Sequence, residues 1–271
     1  MNLNTIVEVK RPTSADQVTE WRDGYAWLAG GTWLFSEPQV ATDTLIDLEL
    51  MGWPALRPSG DGLEIAATCR IVELHDFKAP AEWRAVPLFG DCIDAFLMSF
   101  KIWNAATVGG NLCMSLPAGA MISLTAALEG VCTLWPRNGK PREVAVVDFV
   151  TGNHQNVLQK GELLRSIRLP ASALAKRHAM RQVSLTHLGR SAALIIGTVG
   201  DEGADFLLTI TAATPRPVQL LFPRLPSAID LQRAIDERLP ANAWFGDVHG
   251  SAAYKRHVTR YFAEQIRAEL A

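Results

Sequence analysis

The sequence predicts an α+β protein in two parts, residues 1–173 and residues 174–271. Within the first fifty residues, strand-like and helix-like segments alternate, which is typical of an α/β unit built on a parallel sheet. A turn-rich cluster, Arg57–Gly62, indicates a boundary between two α/β subdomains of about residues 1–60 and 61–173. Beyond residue 174, strand-like segments precede helix-like ones, which favours an antiparallel sheet covered by helices.

The first subdomain is predicted from short apolar segments bounded by polar or turn residues. Such segments predict strands at Thr5–Val9, Tyr25–Ala29 and Thr44–Leu48. Between the first two strands, Ser14 is placed to cap a short helix that runs to Trp21. The second strand then delivers the chain to a pair of glycines.

The second subdomain contains both strand-like and helix-like segments. Strands are predicted at Leu63–Ala67, Val131–Trp135 and Glu143–Val147, helices at Ile71–Phe77, Pro87–Ser99 and Met121–Leu128, and an apolar segment, Glu162–Pro170, closes this part. The second of these helices depends on the helical spacing of Leu88, Cys92, Ile93, Phe96 and Leu97.

The C-terminal part reads as strands followed by helices. Strands are predicted at Met180–Leu185, Ala192–Thr198 and Ala204–Ala212, and helices at Asp230–Arg238 and Ser251–Leu270. In the last helix apolar side chains recur at every fourth position, which predicts a buried stripe made of Tyr254, Val258, Phe262, Ile266 and Leu270. The basic run Lys255–His257 on the same helix is interpreted as a solvated face.

Composition excludes several classes of function. The chain has 271 residues and a net charge of −2, which argues against binding to nucleic acid or to an anionic membrane. It has no apolar run near the ~20 residues that span a bilayer and no secretory signal in residues 1–10, so a cytoplasmic protein is expected. Four cysteines, Cys69, Cys92, Cys113 and Cys132, match neither zinc nor iron–sulfur spacing and are interpreted as reduced thiols, so no metal site is expected.

Two glycine pairs are the strongest functional signal. One lies in Leu28–Thr32 after a predicted strand, and the other lies in Asn104–Asn111 before an apolar run. A glycine pair lets the backbone approach a bulky ligand, and backbone N–H groups near a helix start attract an anion. Neither pair matches the dinucleotide fingerprint G-x-G-x-x-G or the phosphate loop G-x-x-x-x-G-K-[ST]. Spacing alone therefore indicates a phosphate-bearing ligand and goes no further.

The residues around the glycine pairs resemble those of a known family. LAGGTWL, NAATVGGN and SLPAGA, in that order, resemble the FAD-binding subunit of the molybdenum hydroxylases, the family of xanthine dehydrogenase and the carbon monoxide dehydrogenase flavoprotein. The segment DVHGSAAYKRHVTRYFAEQI is similar to the helix that ends the family's C-terminal domain. The resemblance implies two FAD-binding subdomains of the vanillyl-alcohol-oxidase (PCMH) type, followed by a C-terminal domain like that of the carbon monoxide dehydrogenase flavoprotein.

The resemblance also implies an activity and partners. The chain would be an FAD-dependent electron-transfer subunit that takes electrons from 2Fe-2S clusters in a small partner subunit and passes them to NAD⁺ or another acceptor. A large partner subunit would hold the molybdenum cofactor. No catalytic acid, base or nucleophile is then expected in this chain, because the redox chemistry belongs to the cofactor.

The FAD site implied by the resemblance consists of both glycine loops, apolar positions beneath the flavin and one cation. Backbone N–H groups of residues 29–33 and 108–111 are expected to donate to the pyrophosphate. Arg181 is expected near the flavin, where a cation would stabilise its reduced anion. The complete set is Trp27, Leu28, Ala29, Gly30, Gly31, Thr32, Trp33, Leu34, Thr107, Val108, Gly109, Gly110, Asn111, Ala120, Leu164 and Arg181.

Three positions depart from the family pattern. Trp33 follows the first glycine pair where the family has an acidic residue, and Trp103 stands where arginine is usual. Ala120 replaces an aspartate that accepts hydrogen bonds from the cofactor in the family, and losing one such bond costs on the order of 1.5–3 kcal/mol. These departures keep two alternatives open: a flavin-free structural subunit of such a complex, and a free-standing flavoprotein of the same fold.

Overall fold

The computed structural model describes residues 3–96 and 98–271. Its strands in this part of the chain are β1 (Glu8–Lys10), β2 (Tyr25–Leu28), β3 (Thr44–Asp47), β4 (Leu56–Ser59), β5 (Gly62–Ala66), β6 (Val131–Trp135), β7 (Arg142–Ala145), β8 (Val150–Gly152), β9 (Gln155–Asn156), β10 (Leu163–Pro170), β11 (Arg177–Val183), β12 (Ala193–Val199), β13 (Ala204–Thr211) and β14 (Val218–Arg224). Its helices are α1 (Ile71–His75), α2 (Pro87–Asp94), α3 (Phe100–Trp103), α4 (Val108–Met114), α5 (Ala120–Ala127), α6 (Val146–Phe149), α7 (Ala171–Leu174), α8 (Ala228–Arg238) and α9 (Ala252–Leu270).

A small parallel sheet, in the order β1–β3–β2, leads into the first glycine pair. All four residues of the central strand β3 are buried, as a strand paired on both edges and covered on its faces should be. The predicted helix from Ser14 to Trp21 is wrong, because only Ala15–Gln17 form a single 3₁₀ turn. The Ser14 side chain makes no capping hydrogen bond there, so nothing local propagates the helix.

A second sheet is antiparallel and has the order β4–β5–β10–β6–β7. The turn-rich cluster Arg57–Gly62 forms the β4–β5 hairpin, with the turn itself at Gly60 and Asp61. Pro58 is tolerated within β4 because this strand lies at the edge of the sheet, where a missing N–H interrupts no ladder.

Helix α5 lies between this sheet and the C-terminal one. All eight of its residues are buried, and a helix without a polar face has to be surrounded by protein. It contacts α2 and α4 on one side and strands β12 and β13 on the other. Its two hydroxyls are satisfied: Ser123 shares a 2.6 Å hydrogen bond with Thr211, and Thr125 donates to the Met121 carbonyl at 2.7 Å.

The third sheet is antiparallel in the order β11–β12–β13–β14 and packs helix α9 on the face opposite α5. Every residue of β12 is buried, because both of its faces are covered. Strand β14 was not predicted. It is an edge strand that contains Pro223 and exposes Leu221, so its apolar pattern is incomplete.

Helix α9 buries a different stripe from the one predicted. Ile266 and Leu270 are buried as expected, but Tyr254, Val258 and Phe262 are only half-buried. At 3.6 residues per turn, a strict four-residue repeat drifts around the helix, and the deeper stripe here is Lys255, Thr259, Ala263, Ile266 and Leu270. The interpretation of Lys255 as solvated is therefore wrong, whereas Arg256 and His257 are exposed as expected.

Several further expectations are resolved by the structure. Helix α2 ends at Asp94, short of the predicted Ser99, and Leu97 of that prediction lies outside the described residues. All four cysteines are free thiols. In the described ranges, no helix has the length and apolar character needed to cross a membrane.

Candidate functional site

A cavity of about 690 Å³ lies where the three sheets and their loops meet. This volume is within the range of sites for small molecules and cofactors. Its wall includes the first glycine loop (residues 27–34), helix α4 with its N-cap (Thr107, Gly109–Asn111, Cys113 and Met114), the segment 116–119, the β8–β9 turn (Asn153 and His154), residues 162–164, Arg190 and Ser191, and a loop from the C-terminal part that includes Phe245, Asp247, Val248 and His249.

The two glycine pairs lie against neighbouring backbone inside this wall. A Cβ on Gly30 would lie 1.8 Å from the carbonyl oxygen of Ala105, just ahead of the second pair. A Cβ on Gly109 would lie 2.5 Å from the Cβ of Ala67 at the end of β5. Only glycine allows both approaches, so these glycines bring the first sheet, the second sheet and helix α4 to one cavity.

The first glycine loop leaves backbone donors free. The chain turns through Gly31, whose φ is +68°, and the turn closes with the Phe35 N–H donating to the Gly31 carbonyl at 2.8 Å. Among the described residues, the N–H groups of residues 30–33 donate no backbone hydrogen bond. Because these residues line the cavity, their donors are available to an anionic ligand.

The second glycine pair behaves differently from the prediction. It does not form a loop ahead of a helix but lies in the first turn of α4, with Thr107 as its N-cap. Its N–H groups are committed internally: Val108 donates to Cys69 O at 2.9 Å, Gly109 to Ala67 O at 3.0 Å, Gly110 to Thr107 Oγ1 at 3.0 Å and Asn111 to Thr107 O at 3.0 Å. The prediction that these four groups are free to bind pyrophosphate is therefore wrong.

Most of the predicted site residues line the cavity. Of the full set, all but Val108, Ala120 and Arg181 lie in its wall. Val108 and Ala120 are buried behind the wall, at 0% and 1% exposure. Asn111 is in the wall and also structural, since its Oδ1 accepts the N–H of Met121 at 3.2 Å and so caps α5.

Arg181 lies away from the cavity, on strand β11. Its guanidinium pairs with Glu269 and with Gln265 on helix α9, the latter at 3.2 Å. A different arginine lines the cavity: Arg190 places its guanidinium carbon 5.9 Å from the ring centroid of Trp33. Sequence reasoning missed Arg190, because its position depends on how the β11–β12 hairpin folds back over the site.

Trp27, Trp33 and His154 place aromatic rings in the cavity wall. Trp33, which replaces the family's acidic residue, also lies 5.8 Å from the ring of His154 on the β8–β9 turn. Trp27 donates its Nε1–H to the Gly161 carbonyl at 3.3 Å, and its ring centroid lies 4.8 Å from that of Trp21. Trp103, the other tryptophan that departs from the family pattern, packs 5.2 Å from His75, and its buried Nε1 has no hydrogen-bond partner in the described part of the chain.

The carboxylates of the wall are neutralised within the protein. Glu162 accepts two hydrogen bonds from Arg142, at 2.8 and 2.7 Å, and one from the Gln159 N–H, and these hold the pKa of its carboxyl below the usual range. Asp247 pairs with the buried Lys255 at 2.9 Å. Arg190, by contrast, pairs with no carboxylate among the described residues, so its guanidinium is available to an anionic ligand.

The thiol in the wall is not a nucleophile. Burial raises the pKa of Cys113 to about 12, so this side chain stays protonated at neutral pH. The arrangement as a whole offers hydrogen-bond donors, apolar and aromatic surface and one uncompensated cation. These groups are the ones that an anionic aromatic ligand requires.

Comparisons with known proteins agree with this geometry. Residues 5–172 match the family described as the FAD binding domain in molybdopterin dehydrogenase. Caffeine dehydrogenase subunit beta of Pseudomonas sp. (strain CBB1) is 28% identical over 197 residues, which cover 68% of this chain and 64% of that protein. The match therefore spans a little less than two thirds of that relative's length.

Solved structures share the fold over the whole chain. Quinoline 2-oxidoreductase from Pseudomonas putida 86 is 18% identical with a TM-score of 0.80, covering 97% of this chain and 96% of that chain. Carbon monoxide dehydrogenase from Hydrogenophaga pseudoflava, in a form that lacks the Mo-pyranopterin moiety, is 20% identical with a TM-score of 0.81, covering 98% and 97%. At these identities the likeness shows the fold alone. Through the match over residues 5–172, the chain belongs to the family of FAD binding domains in molybdopterin dehydrogenases.

Proposed function

We propose that this chain holds FAD in the cavity between its glycine pairs and acts as the flavin-binding subunit of a molybdenum hydroxylase-type complex. The observation that supports this most directly is the first glycine loop. Its N–H groups at residues 30–33 donate no backbone hydrogen bond within residues 3–96 and 98–271, they line the cavity, and they belong to the part of the chain matched by the FAD-binding family.

The residues present fit FAD. The pyrophosphate requires donors without bulky side chains, which residues 30–33 provide, and the hydroxyls of Thr32 and Thr107 can add to them. An extended ligand with a planar ring requires apolar surface, which Trp27, Leu34 and Leu164 provide.

Arg190 fits the role that sequence reasoning assigned to Arg181. It is the wall's uncompensated cation, and it would interact with the negative charge of the ligand. Glu162 and Asp247 do not oppose this charge, because Arg142 and Lys255 neutralise them.

FAD, when bound, supplies electron transfer, so the chain would receive electrons from 2Fe-2S clusters of a partner subunit and pass them to NAD⁺ or another acceptor. The residues of this chain bind the cofactor, orient its ring and exclude water from it. A large subunit with the molybdenum cofactor and a small 2Fe-2S subunit would complete a heterotrimer. The resemblance to the molybdenum hydroxylases supports these partners, and the organic substrate would be bound by the large one.

The absorption spectrum of the purified chain tests this proposal. We expect flavin bands near ~370 and ~450 nm, which belong to the cofactor itself, to remain after the chain is incubated with FAD and desalted. If the isolated chain retains no flavin, the spectrum of the assembled complex decides the matter, and a complex without flavin bands would refute the proposal.

One observation favours a different function, that of a flavin-free structural subunit. The N–H groups of residues 108–111 are all committed inside the protein, and Ala120 replaces the family's aspartate. A structural subunit would assemble with the molybdenum and iron–sulfur subunits while its cavity took up no FAD. The spectrum of the complex therefore separates the two functions.

A further inference from the structure

Lys255 is buried to an unusual degree for a lysine. Its side chain is 0% exposed, although it occupies a helix whose next two residues face solvent. Its Nζ lies 2.9 Å from Asp247 Oδ1, donates to the Ala212 carbonyl at 3.1 Å and lies 5.2 Å from the ring centroid of Phe245. These contacts lead to two different parts of the region around the cavity.

Two of the contacts lead to one wall of the cavity. Asp247 and Phe245 lie in the C-terminal loop that lines it. The Phe245 N–H donates to Ala213 O at 2.9 Å, and the His249 N–H donates to Asp247 Oδ1 at 2.8 Å, the oxygen that Lys255 also binds. Within the loop, Asp247 and Gly250 exchange two backbone hydrogen bonds of 3.1 and 3.2 Å. Val248 in the same loop is 88% exposed, so packing holds the loop only weakly.

The third contact leads to another wall. Ala212 has a left-handed backbone, with φ at +63°, and its carbonyl accepts from Lys255. The N–H of the same residue donates to the Pro117 carbonyl at 2.8 Å, and Pro117 lines the cavity. Lys255 is therefore the common partner of the C-terminal loop and of the strand end that holds the Pro117 segment.

Burying the Lys255 ammonium is an inefficient way to gain stability alone. Taking this charge out of water costs about as much as its attraction to Asp247, whose side chain is 23% exposed, returns. What the ion pair adds is geometry, because a charged donor with several acceptors fixes each of them at hydrogen-bond distance.

We propose that Lys255 is a positioning residue that sets the C-terminal loop against the Pro117 segment and so shapes the FAD cavity. That the ligand is FAD rests on the proposed function, whereas the contacts of Lys255 with the loop do not depend on it. Lys255 lies outside the cavity wall and acts only through Asp247, Phe245 and Ala212. Lys255→Arg keeps the positive charge, so it is the conservative variant.

Hydrogen–deuterium exchange on the full chain without FAD tests the geometry. In Lys255→Met we expect faster exchange in residues 245–250 and at Ala212, with α8 unchanged, and in Lys255→Arg we expect protection close to that of the wild type. Arg256→Met is the matched control. Arg256 is the next residue on α9, is exposed and pairs only with Asp236 in the described part of the chain, so its loss should leave these amides unchanged.

The affinity for FAD tests the positioning role. We expect Lys255→Met to raise the Kd for FAD roughly two- to thirtyfold, the range for residues that act on a site without touching its ligand. Lys255→Arg should restore the affinity. Faster exchange in the loop with an unchanged Kd would overturn the proposal, because Lys255 would then serve stability only. If the wild-type chain and its complex bind no FAD at all, the proposed function fails, while the exchange measurement still decides whether Lys255 fixes the loop.

Lys255→Met alone leaves Asp247 without its partner and can destabilise the whole chain. The double variant Lys255→Met with Asp247→Asn removes both charges and is expected to fold. It should show the same loosening of residues 245–250. A double variant with wild-type protection in the loop would contradict the positioning role.

Discussion

At the scale of single residues, the site is built on positions where a side chain is absent. Gly30 approaches the Ala105 carbonyl so closely that even a methyl group would collide with it. The contact joins the first glycine loop to the segment that starts α4. A Cβ at residue 30 would therefore prevent the first glycine loop and the segment before α4 from coming together to form the cavity.

Gly30→Ala is expected to disrupt the site. Its Cβ would lie 1.8 Å from backbone that cannot rotate away, so we expect a loss of about 1–3 kcal/mol in the free energy of unfolding, the range for overpacking. FAD binding should be lost or strongly weakened. Gly60→Ala is the control, because a Cβ there meets nothing within 4 Å. Denaturant titration and FAD titration of both variants check the prediction, which fails if Gly30→Ala binds FAD like the wild type.

The two arginines provide a second test at this scale. Arg190→Gln should raise the Kd for FAD about tenfold or more, because a charge-assisted hydrogen bond contributes roughly 1.5–3 kcal/mol. Arg181→Gln should leave the Kd nearly unchanged, because Arg181 pairs with Glu269 and lies outside the wall. Fluorescence titration with FAD measures both. The opposite ranking would restore the role that the sequence assigned to Arg181.

The difference between these arginines shows what a sequence can reveal at this scale. Glycine pairs can be recognised from the sequence, because a residue without Cβ allows backbone conformations and close approaches that other residues do not. The role of Arg190 could not be recognised, because its approach to Trp33 depends on the fold of a hairpin and on the register of β11 with β12. Asp247 was also missed as a wall residue, since its partner Lys255 lies in the basic run that the sequence pattern assigns to a solvated face.

At the scale of elements, the strands and helices with strong periodicity were predicted well and those defined by contacts were not. Strands β3, β5, β6 and β12 lie close to their predicted positions, because each is short, apolar and bounded by turn residues. Helix α4 was missed, since it begins at the glycine pair and is specified by its N-cap Thr107 and by docking against residues 67–69. The same docking commits the N–H groups of residues 108–111.

The segment before β10 gives a pH-dependent prediction. The bonds from Arg142 and the Gln159 N–H lower the folded-state pKa of Glu162, whose side chain is 1% exposed. A carboxyl whose pKa is lower in the folded than in the unfolded state stabilises the fold. This contribution is complete above the ordinary pKa of about 4.3 and is lost as the pH falls through the lowered pKa of the folded state. Glu162→Gln should therefore cost about 1.5–3 kcal/mol near pH 7, and less as the pH falls below 4.3.

Urea unfolding of the wild type and of Glu162→Gln across this range of pH measures the effect. Glu264→Gln is the control, because Glu264 also pairs with an arginine and has a lowered pKa but is 39% exposed. Solvent screening should keep its cost under about 1 kcal/mol. A wild type and a Glu162→Gln variant that differ by the same amount at every pH would contradict the assignment.

At the scale of the whole molecule, the C-terminal sheet is shared between two hydrophobic cores. Leu194 and Ile196 on β12 belong to the core around α5, whereas Ile195 between them belongs to the core beneath α9. One strand thus has each face in a different core. The sequence shows that β12 is apolar throughout, but it does not show which elements cover its two faces, because that depends on contacts far apart along the chain.

This sharing predicts that the chain unfolds as one unit. Ile266 on α9 is fully buried beside Gly197 of β12, and Ile266→Ala should cost about 2–5 kcal/mol through the cavity that it leaves. If β12 links the two cores, calorimetry should show a single transition in both proteins, shifted to lower temperature in the variant. An early separate transition for residues 174–271 would mean that the C-terminal part melts alone. FAD should raise the transition temperature of the wild type, since its cavity is lined by residues of both the N-terminal and the C-terminal part and a ligand that binds only the folded state stabilises it by mass action.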